Sequence, residues 1–307
     1  MQVLSQQVEN MASIPSSECG PANPKFSLIV ATSGRTVELD SFFHSLATSS
    51  FNDFECIVVD QNTDDRLADL LRRWTARINI KHLRSSIGLS HARNVGLLRA
   101  TGEFLAFPDD DCWYTPRLLP NVLDFFTKHP DYGVLSVGVR DSANTVSGNR
   151  WIRDACDLTT TNLFRTSVGY SLFLRRQAIA GFPQFDESLG VGAGTPFASG
   201  EDTDYVFRLL SSGLKGRFDR RLTIHHPRGD MFSGRADSDR AFSYGCGMGR
   251  VIRNREKFPL LPAFVAYDFA RAAAGALCGR LDAAALCVAH GRGICFGYLA
   301  PKERKND

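Results

Sequence analysis

The sequence lacks the features that mark several large classes of protein. Its eight cysteines are scattered without a CxxC pair, so they predict neither a disulfide framework nor a zinc site, and they fit a reducing compartment. The formal net charge is only +3, which provides no overall field to attract nucleic acid. No internal repeat or low-complexity tract is visible. We therefore expect an ordinary globular protein that does not bind nucleic acid.

Long apolar stretches are missing as well. Residues 1–24 are polar and hold no apolar segment suited to a signal peptide, so we expect them to form a flexible leader. A helix needs about 20 apolar residues to span a bilayer. The nearest candidate, at residues 260–278, is interrupted by Asp268 and Arg271. These absences predict a cytoplasmic protein that is either free or lies on a membrane surface.

From residue 26 onward, the sequence alternates regularly between short apolar runs, which predict strands, and amphipathic segments, which predict helices. Amphipathic segments with apolar residues at i, i+3, i+4 and i+7, as from Leu39 to Leu46, predict helices. Strands and helices that alternate with short links are typical of a Rossmann-like α/β fold, with a mostly parallel central sheet flanked by helices. Ligands bind such sheets beyond the C-terminal ends of the strands. The apolar runs that predict the first four strands are residues 26–31, 54–59, 78–83 and 103–107.

Polar residues follow these predicted strands directly. Three adjacent carboxylates, Asp109, Asp110 and Asp111, come after the fourth strand. They repel one another unless a cation or hydrogen-bond donors relieve them. Hard divalent ions such as Mg2+ and Mn2+ bind carboxylate and phosphate oxygens together. A solvated turn that caps the next helix explains the same acids, but their place at a strand end favours a metal site.

The later part of the chain offers two more candidate segments. A polar stretch at residues 142–165 predicts a loop over the site. Glu201 and Asp202 begin a predicted helix, where acids complement the helix dipole or where a carboxylate can serve as a general base. His225 and His226 end another predicted strand. Paired histidines there suit a metal ligand as well as an ordinary structural role.

Five segments, in this order, resemble the inverting glycosyltransferases of family 2, which have the GT-A fold. The resemblance covers roughly residues 26–226, and its one clear departure is Pro108, where many relatives carry leucine. The segments are IVATSGR, IVVD, GLSHARNVG, ATGEFLAFPDDD and GED, at residues 29–35, 57–60, 88–96, 100–111 and 200–202.

The resemblance implies roles for individual residues. Asp202 corresponds to the catalytic base, and Glu201 would orient the acceptor or the loop. Asp111 and His226 would bind the metal ion, Mn2+ or Mg2+, with His225 the less favoured of the two histidines. The residues expected to bind the donor are Thr32, Arg35, Asp60, Arg93, Asp109 and Asp110.

The implied reaction transfers a sugar from a nucleotide sugar, for which UDP is the expected nucleotide, to a hydroxyl of a glycan or lipid-linked acceptor. Two alternatives stay open. A non-catalytic carbohydrate- or nucleotide-sugar-binding protein would show no turnover, and a sugar nucleotidyltransferase would have no use for the Glu201–Asp202 segment. A dehydrogenase would need a GxGxxG fingerprint after the first strand, and the sequence there is ATSGR.

The sequence changes character near its C-terminal end, where basic residues precede apolar, alanine-rich segments. This combination suits peripheral contact with the inner face of the cytoplasmic membrane, and the alternative is a helical subdomain that packs on the catalytic domain or on another subunit. The basic residues are Arg250, Arg253, Arg255 and Lys257. We expect a catalytic domain at residues 25–240, with a nucleotide-binding half at 25–112 and an acceptor half at 113–240, and a helical region at 241–307.

Overall fold

The computed structural model describes residues 23–146, 152, 154–181, 184–227, 238–257 and 259–301. The expected leader lies almost wholly outside the described residues. The strands are β1 (Phe26–Thr32), β2 (Phe54–Asp60), β3 (Ile80–Arg84), β4 (Phe104–Ala106), β5 (Trp113–Tyr114), β6 (Tyr132–Arg140), β7 (Cys156–Asp157), β8 (Leu172–Arg175) and β9 (Lys215–His225).

The α-helices of the described ranges follow the strands closely in the first half of the chain and form a separate group at its C-terminal end. They are α1 (Val37–Ala47), α2 (Ala68–Thr75), α3 (Leu89–Leu97), α4 (Leu118–Lys128), α5 (Leu163–Thr166), α6 (Glu201–Ser211), α7 (Ser238–Asn254), α8 (Leu260–Leu277) and α9 (Leu281–Leu299).

The strands form one sheet in the order β3-β2-β1-β4-β8-β6-β9-β5, and β7 pairs with β9. The strands β3, β2, β1, β4, β6 and β9 run in one direction, whereas β8, β5 and β7 run antiparallel to their neighbours. The predicted mostly parallel sheet is therefore confirmed. Because β1 and β2 are parallel and in register, Thr32 lies directly opposite Asp60 at their C-terminal ends.

Both faces of the sheet are covered by helices. Phe26, Leu28 and Val30 alternate along β1 and pack against α1, α2 and α4. Ile29, on the other face of β1, belongs to a second apolar cluster with residues of α3 and α6. A strand that is buried on both faces is mostly apolar, which explains the apolar runs in the sequence. The buried polar exceptions are Ser27 of β1 and Glu55 of β2, and Ser27 Oγ donates to Glu55 Oε1 at 2.6 Å.

The structure differs from the expected loop at residues 142–165. This segment contains β7, which extends the sheet beside β9, and α5, which contacts α6. Residues 147–151 and 153 lie outside the described residues. The polar composition of the segment predicted a loop because neither element is long enough to show a periodic apolar pattern.

The C-terminal helices α7 and α9 pack through glycines. A Cβ atom at Gly245 or Gly249 on α7 would collide with main-chain oxygens of α9, and one at Gly293 or Gly297 on α9 would collide with those of α7. Glycine allows two helix backbones to approach more closely than any other residue does. The two helices therefore form a tight pair.

The basic residues that precede the apolar helices do not form the expected membrane-facing patch. Arg250 is buried beneath the Phe197 ring, with its guanidinium carbon 4.1 Å from the ring centroid. Arg253 donates to the main-chain oxygen of Tyr298, and Arg255 forms an ion pair with Asp204 of α6 at 2.6 Å. These charges join the C-terminal helices to each other and to α6, so they do not gather on one outward face.

The outer surface of α8 has the opposite character. Only Asp268 and Ala272 of this helix are buried, and large apolar side chains such as Leu277, which is 90% exposed, face outward. Within the described ranges, α8 is the one helix that is long and apolar enough to cross a membrane. Length and composition alone are weak evidence for such a role.

Candidate active site

The acidic turn after β4 is held in place through its middle residue. Asp110 is buried, and it accepts hydrogen bonds from Thr32 Oγ1 at 2.7 Å and from Arg35 Nη1 at 2.8 Å. Arg35 also forms an ion pair with Asp111 at 2.6 Å. Burial raises the pKa of Asp110 above its ordinary value, even though Thr32 and Arg35 act in the opposite direction. Asp110 thus anchors the turn, with Asp109 and Asp111 on either side of it.

The two histidines at the end of β9 diverge, as expected for neighbouring residues of a strand. His226 Nε2 lies 3.1 Å from Asp111 Oδ1, and its ring stacks on Tyr170 with centroids 4.4 Å apart. His225 instead stacks on the Trp113 ring at 5.2 Å. Burial lowers the pKa of His226, but the adjoining Asp111 carboxylate outweighs this effect and raises the pKa above its usual value.

The residues around Asp111 suit a divalent cation. Ligand atoms of Asp111, Cys112 and His226 all lie within 4.8 Å of one another. Asp111 Oδ1 is buried and makes no well-aligned hydrogen bond within the described ranges. A carboxylate oxygen beside an imidazole nitrogen is a donor set that Mn2+ accepts readily. An acceptor atom that lacks a well-formed bond is also the kind of atom that an ion would satisfy.

Asp60 forms a second polar centre, at the end of β2. Its side chain is fully buried and accepts hydrogen bonds from the main-chain N–H and the side-chain amide of Asn62, at 2.9 and 2.7 Å. His82 Nε2 lies 3.0 Å away and Arg84 Nη1 lies 3.4 Å away, both from β3. The sequence analysis did not single out His82. Its two-residue spacing from Arg84, which puts both side chains on one face of a strand, was the available signal.

A buried ion pair links the acidic turn to α6. Arg93 of α3 lies 3.1 Å from Glu201 Oε1 and 3.4 Å from Asp109 Oδ1. Burial and the neighbouring charge of Asp202 raise the pKa of Glu201 to about 7, although Arg93 acts to lower it. A Cβ atom at Gly169 would lie only 2.7 Å from the Arg93 guanidinium. A side chain at position 169 would therefore displace the Arg93 guanidinium from its present place.

Asp202 is oriented by main-chain groups. Its Oδ2 accepts from the N–H of Gly169 at 2.6 Å, and its Oδ1 accepts from the N–H of Thr203 at 2.6 Å. No motif in the sequence singled out Gly169 or the adjacent Tyr170. Arg208 and Asp204, one turn apart on α6, form an ion pair at 3.0 Å.

A cavity of about 370 Å³ lies beside Arg93, Asp109 and Asp202. Its lining also includes Tyr244, Met248 and His290. Tyr244 and Met248 belong to α7, and His290 belongs to α9. The C-terminal helices thus supply a wall of the cavity, a contribution that the sequence analysis missed because nothing in their composition shows which element they face.

Comparison with known proteins identifies the family. A sequence profile described as glycosyl transferase family 2 matches residues 27–180, half of the chain. The chain belongs to glycosyl transferase family 2. It is 31% identical over 110 residues to the poly(ribitol-phosphate) β-N-acetylglucosaminyltransferase TarS of Staphylococcus aureus, which is 34% of this chain and 19% of TarS. The match therefore spans about a fifth of that relative's length. An uncharacterized glycosyltransferase of Haemophilus influenzae is 22% identical over 71% of this chain and 74% of its own length.

Solved structures of two glycosyltransferases share the fold. TarS residues 1–349 in complex with UDP-GlcNAc superpose with a TM-score of 0.56 and 18% identity, covering 87% of this chain and 91% of that one. The mannosyltransferase PcManGT from Pyrobaculum calidifontis, in complex with GDP-Man and Mn2+, gives a TM-score of 0.63 at 16% identity, covering 92% and 89%. These likenesses confirm the predicted GT-A fold.

Proposed function

We propose that this chain is a metal-dependent, inverting glycosyltransferase that moves a sugar from a UDP-sugar to a hydroxyl of a glycan or lipid-linked acceptor. One observation carries the proposal: Asp109, from the acidic turn, and Asp202, from α6, line the same cavity. A donor diphosphate held at the acidic turn would present its sugar to a hydroxyl positioned at Asp202. The UDP-GlcNAc bound in the TarS structure supports UDP as the nucleotide.

The donor would lie along the C-terminal edge of the sheet. Asp60, which lies between Asn62 and His82 at the end of β2, would receive the nucleoside. Thr32 lies opposite Asp60 and is bonded to Asp110, so the Thr32–Asp110 contact would shape the floor beneath the ribose. Arg35 is half-exposed on the edge and can exchange its acidic partners for donor phosphates.

Asp111 and His226 would hold the metal ion, with Cys112 adjacent to them. When bound, Mn2+ or Mg2+ neutralises the charge that develops on the leaving diphosphate. Arg93 contacts Asp109 and would add a fixed positive charge on the other side of the acidic turn. The PcManGT structure, which contains Mn2+, supports the choice of metal.

Asp202 would act as the general base. The acceptor hydroxyl gives its proton to the Asp202 carboxylate as its oxygen bonds to the anomeric carbon. The bond from that carbon to the diphosphate oxygen breaks, and its electron pair leaves with the nucleoside diphosphate. Glu201 is paired with the buried Arg93, so it is not placed as a second nucleophile. A single displacement inverts the anomeric centre.

The reaction can be tested with panels of donors. Purified protein is incubated with UDP-, GDP- and dTDP-sugars, with Mn2+ or with EDTA, and nucleoside diphosphate release and the anomeric configuration of the product are measured. We expect UDP release that requires the metal, and a product of inverted configuration. Pyrophosphate formed from a nucleoside triphosphate and a sugar phosphate would indicate a nucleotidyltransferase, and donor binding without any product would indicate a binding protein.

The base assignment has its own test. The Asp202→Asn substitution keeps size and hydrogen bonding but removes the base, so turnover should fall by about 10²–10⁴-fold while calorimetry shows nearly unchanged UDP affinity. Asp69→Asn, an exposed acid on α2, is the matched control. Near-normal turnover in the Asp202 variant would place the base elsewhere.

We propose the two-part division expected from the sequence, a catalytic domain at residues 25–240 and a helical region at 241–307, with the boundary moved to the start of α7 at Ser238. We also propose a cytoplasmic protein that contacts the inner face of the membrane through the corner between α8 and α9, where Leu277 and Leu281 are 90% and 68% exposed. Exposed apolar side chains in a group favour insertion at a bilayer interface.

The membrane proposal predicts the effect of a double substitution at this corner. Leu277→Glu with Leu281→Glu should abolish sedimentation with vesicles that contain anionic lipid. The matched control is Val37→Glu with Leu98→Glu, two positions that are each 74% exposed on the catalytic part. Wild-type protein that stays in the supernatant at every lipid concentration would refute membrane contact.

A further inference from the structure

We propose that Tyr170 is a positioning residue, which holds the imidazole ring of His226 in the orientation that metal binding requires. This inference rests on the proposed function and deepens its metal site. Tyr170 is assigned no bond to the metal ion and acts only through His226, on which its ring stacks. The turn before β8 thereby gains a part in the chemistry of the sheet edge.

The direction of β8 explains why Tyr170 reaches the acidic turn. β8 pairs antiparallel with β4, and Phe173 lies opposite Ala106. Residues just before β8 therefore lie beside the residues that follow β4, which include Asp111. Tyr170 belongs to a 3-10 turn, Gly169–Ser171, directly before β8. One reversed strand in a mostly parallel sheet thus brings Tyr170 to the edge where the parallel strands end.

Two separate contacts orient the His226 ring. Its plane lies only 8° from that of Tyr170, with the ring centroids 4.4 Å apart. Its Nδ1 lies 2.6 Å from the main-chain oxygen of Pro227, and since a carbonyl oxygen can only accept, Nδ1 carries the hydrogen. Its Nε2 lies 3.1 Å from Asp111 Oδ1. The Pro227 contact determines which edge of the ring faces Asp111, and the Tyr170 contact determines the plane of the ring.

The plane matters because of where an imidazole binds a cation. The lone pair of the nitrogen lies in the plane of the ring, so a bound ion has to lie close to that plane. Rotation about the Cβ–Cγ bond of His226 would turn Nε2 away from Asp111. Neighbours that fix the orientation of a ligating histidine commonly contribute to metal affinity. A stacked ring is such a neighbour for the one degree of freedom that the Pro227 contact leaves open.

Tyr170 is itself held on both sides. The N–H of Gly169 donates to Asp202 Oδ2 at 2.6 Å. Ser171 Oγ lies 3.1 Å from Ser136 Oγ of β6, and both serines are fully buried. The Tyr170 ring also packs against the apolar cluster on one face of the sheet. Tyr170 therefore offers His226 a fixed surface, and the same turn orients the carboxylate that we propose as the base.

The test measures Mn2+ binding without turnover. Full-length protein is mixed with UDP and no acceptor, and free Mn2+ is measured by electron paramagnetic resonance. Tyr170→Leu should raise the Kd for Mn2+ by about 3–10-fold, the range expected for one aromatic stack. Tyr170→Phe keeps the ring and should bind Mn2+ like the wild type. The matched control is Tyr132→Leu, which removes a tyrosine that contacts His129 at the opposite end of the sheet.

A positioning role also predicts two patterns that simple loss of packing would not give. Tyr170→Leu should add nothing to the Mn2+ Kd in the His226→Ala background, because the two residues act as a unit. With saturating Mn2+, the kcat of Tyr170→Leu should return to the wild-type value, since the lost affinity is then overcome. A kcat that stays low at saturating Mn2+ would mean that Tyr170 contacts the substrate, and it would overturn the positioning role.

A measurement that needs no ring deletion covers the case in which Tyr170→Leu does not fold. Protein is labelled with 3-fluorotyrosine, and the Tyr170 signal in the 19F NMR spectrum is identified by its loss in Tyr170→Phe. Adding Mg2+ to the UDP complex should shift this signal in the wild type and leave it in place in His226→Ala. A wild-type signal that does not move would overturn the inference.

The outcomes separate the inference from the proposed function. Wild type that binds Mn2+ with UDP, together with an unchanged Kd in folded Tyr170→Leu, overturns the role of Tyr170 and leaves the proposed function in place. Equal losses in Tyr170→Leu and Tyr170→Phe assign the effect to the hydroxyl and overturn the stacking argument. Wild type that binds no Mn2+ in the presence of UDP refutes the metal dependence in the proposed function, and the present inference falls with it.

Discussion

The N-terminal strands pack through large apolar side chains, whereas the C-terminal helices pack through glycines. β2 buries every one of its residues, and the cluster on one face of the sheet includes Phe26, Phe42 and Phe43. By contrast, α7 and α9 meet through glycines whose missing side chains allow main chain to contact main chain. Stability in the sheet is spread over many large side chains, whereas in the helix pair it depends on a few positions that tolerate no added atom.

The two regions also treat charge differently. The edge of the sheet concentrates acids whose burial is unfavourable, and burial raises the pKa of both Asp109 and Asp110. The C-terminal helices instead use their charges as internal connections, as in the Arg255–Asp204 ion pair. A rigid apolar sheet can carry costly acids at its edge, where we propose that they bind metal and donor.

Single methyl groups should reveal the largest difference between the two regions. Gly249→Ala adds one methyl where main-chain atoms of α9 already lie. It should lower the free energy of unfolding by at least about 2 kcal/mol, since overpacking forces the backbone to shift. Ile29→Val removes one methyl from the sheet core and should cost about 1 kcal/mol. Urea denaturation measures both values.

Gly181→Ala provides the control for this comparison, because a Cβ atom at Gly181 meets no atom within 4 Å. Its free energy of unfolding should stay close to that of the wild type. If Gly249→Ala were as mild as Gly181→Ala, the helix pair would be loosely packed, and the contrast with the sheet would disappear.

The next effect concerns metal binding at the sheet edge. His226→Ala should raise the Mn2+ concentration for half-maximal activity by roughly 10–100-fold, as for other weakened metal shells, because His226 is the imidazole beside Asp111. His225→Ala should leave it almost unchanged, since His225 stacks on Trp113. Titration of activity with Mn2+ measures both. The reverse order would exchange the roles, and no change in either variant would leave the metal to Asp111 and phosphate.

The grouping of polar residues at the C-terminal edge of the sheet was predictable from the sequence for a physical reason. β1 and β2 are buried on both faces, so their sequences are mostly apolar, with Ser27 and Glu55 as buried exceptions. Parallel strands place their C-terminal ends together, which brings Thr32, Asp60 and the acidic turn to one edge. Even the divergence of His225 and His226 follows from the alternation of side chains along a strand.

The cavity wall was not predictable in the same way. Neither Tyr170 nor His290 belongs to a sequence motif. Both reach the site only because separate elements pack together. The basic residues before α8 were misinterpreted because sequence shows their proximity to apolar helices. It does not show that Asp204 and the main-chain oxygen of Tyr298 lie opposite them. Such partners are defined by tertiary contacts alone.

A further expected effect is the pH dependence that Glu201 gives to stability. Glu201 is buried beside Arg93. Its burial and the charge of Asp202 raise its pKa from 4.5 to about 7. A group with a raised pKa favours the folded state when it is protonated. Its contribution is fully present below pH 4.5 and is lost as the pH rises through about 7. Glu201→Gln cannot ionise, so it should lose none of this stability.

Near pH 5, we expect wild type and Glu201→Gln to have similar melting temperatures. At pH 8, the variant should melt several degrees above the wild type. Each unit of pKa shift corresponds to about 1.4 kcal/mol. Melting is measured in EDTA, so that metal binding at Asp111 does not contribute. Glu38→Gln, an acid on the exposed surface of α1, should track the wild type at every pH. A gap between wild type and Glu201→Gln that stays constant from pH 5 to pH 8 would mean that Glu201 is already ionised at pH 5, with Arg93 outweighing the effect of its burial.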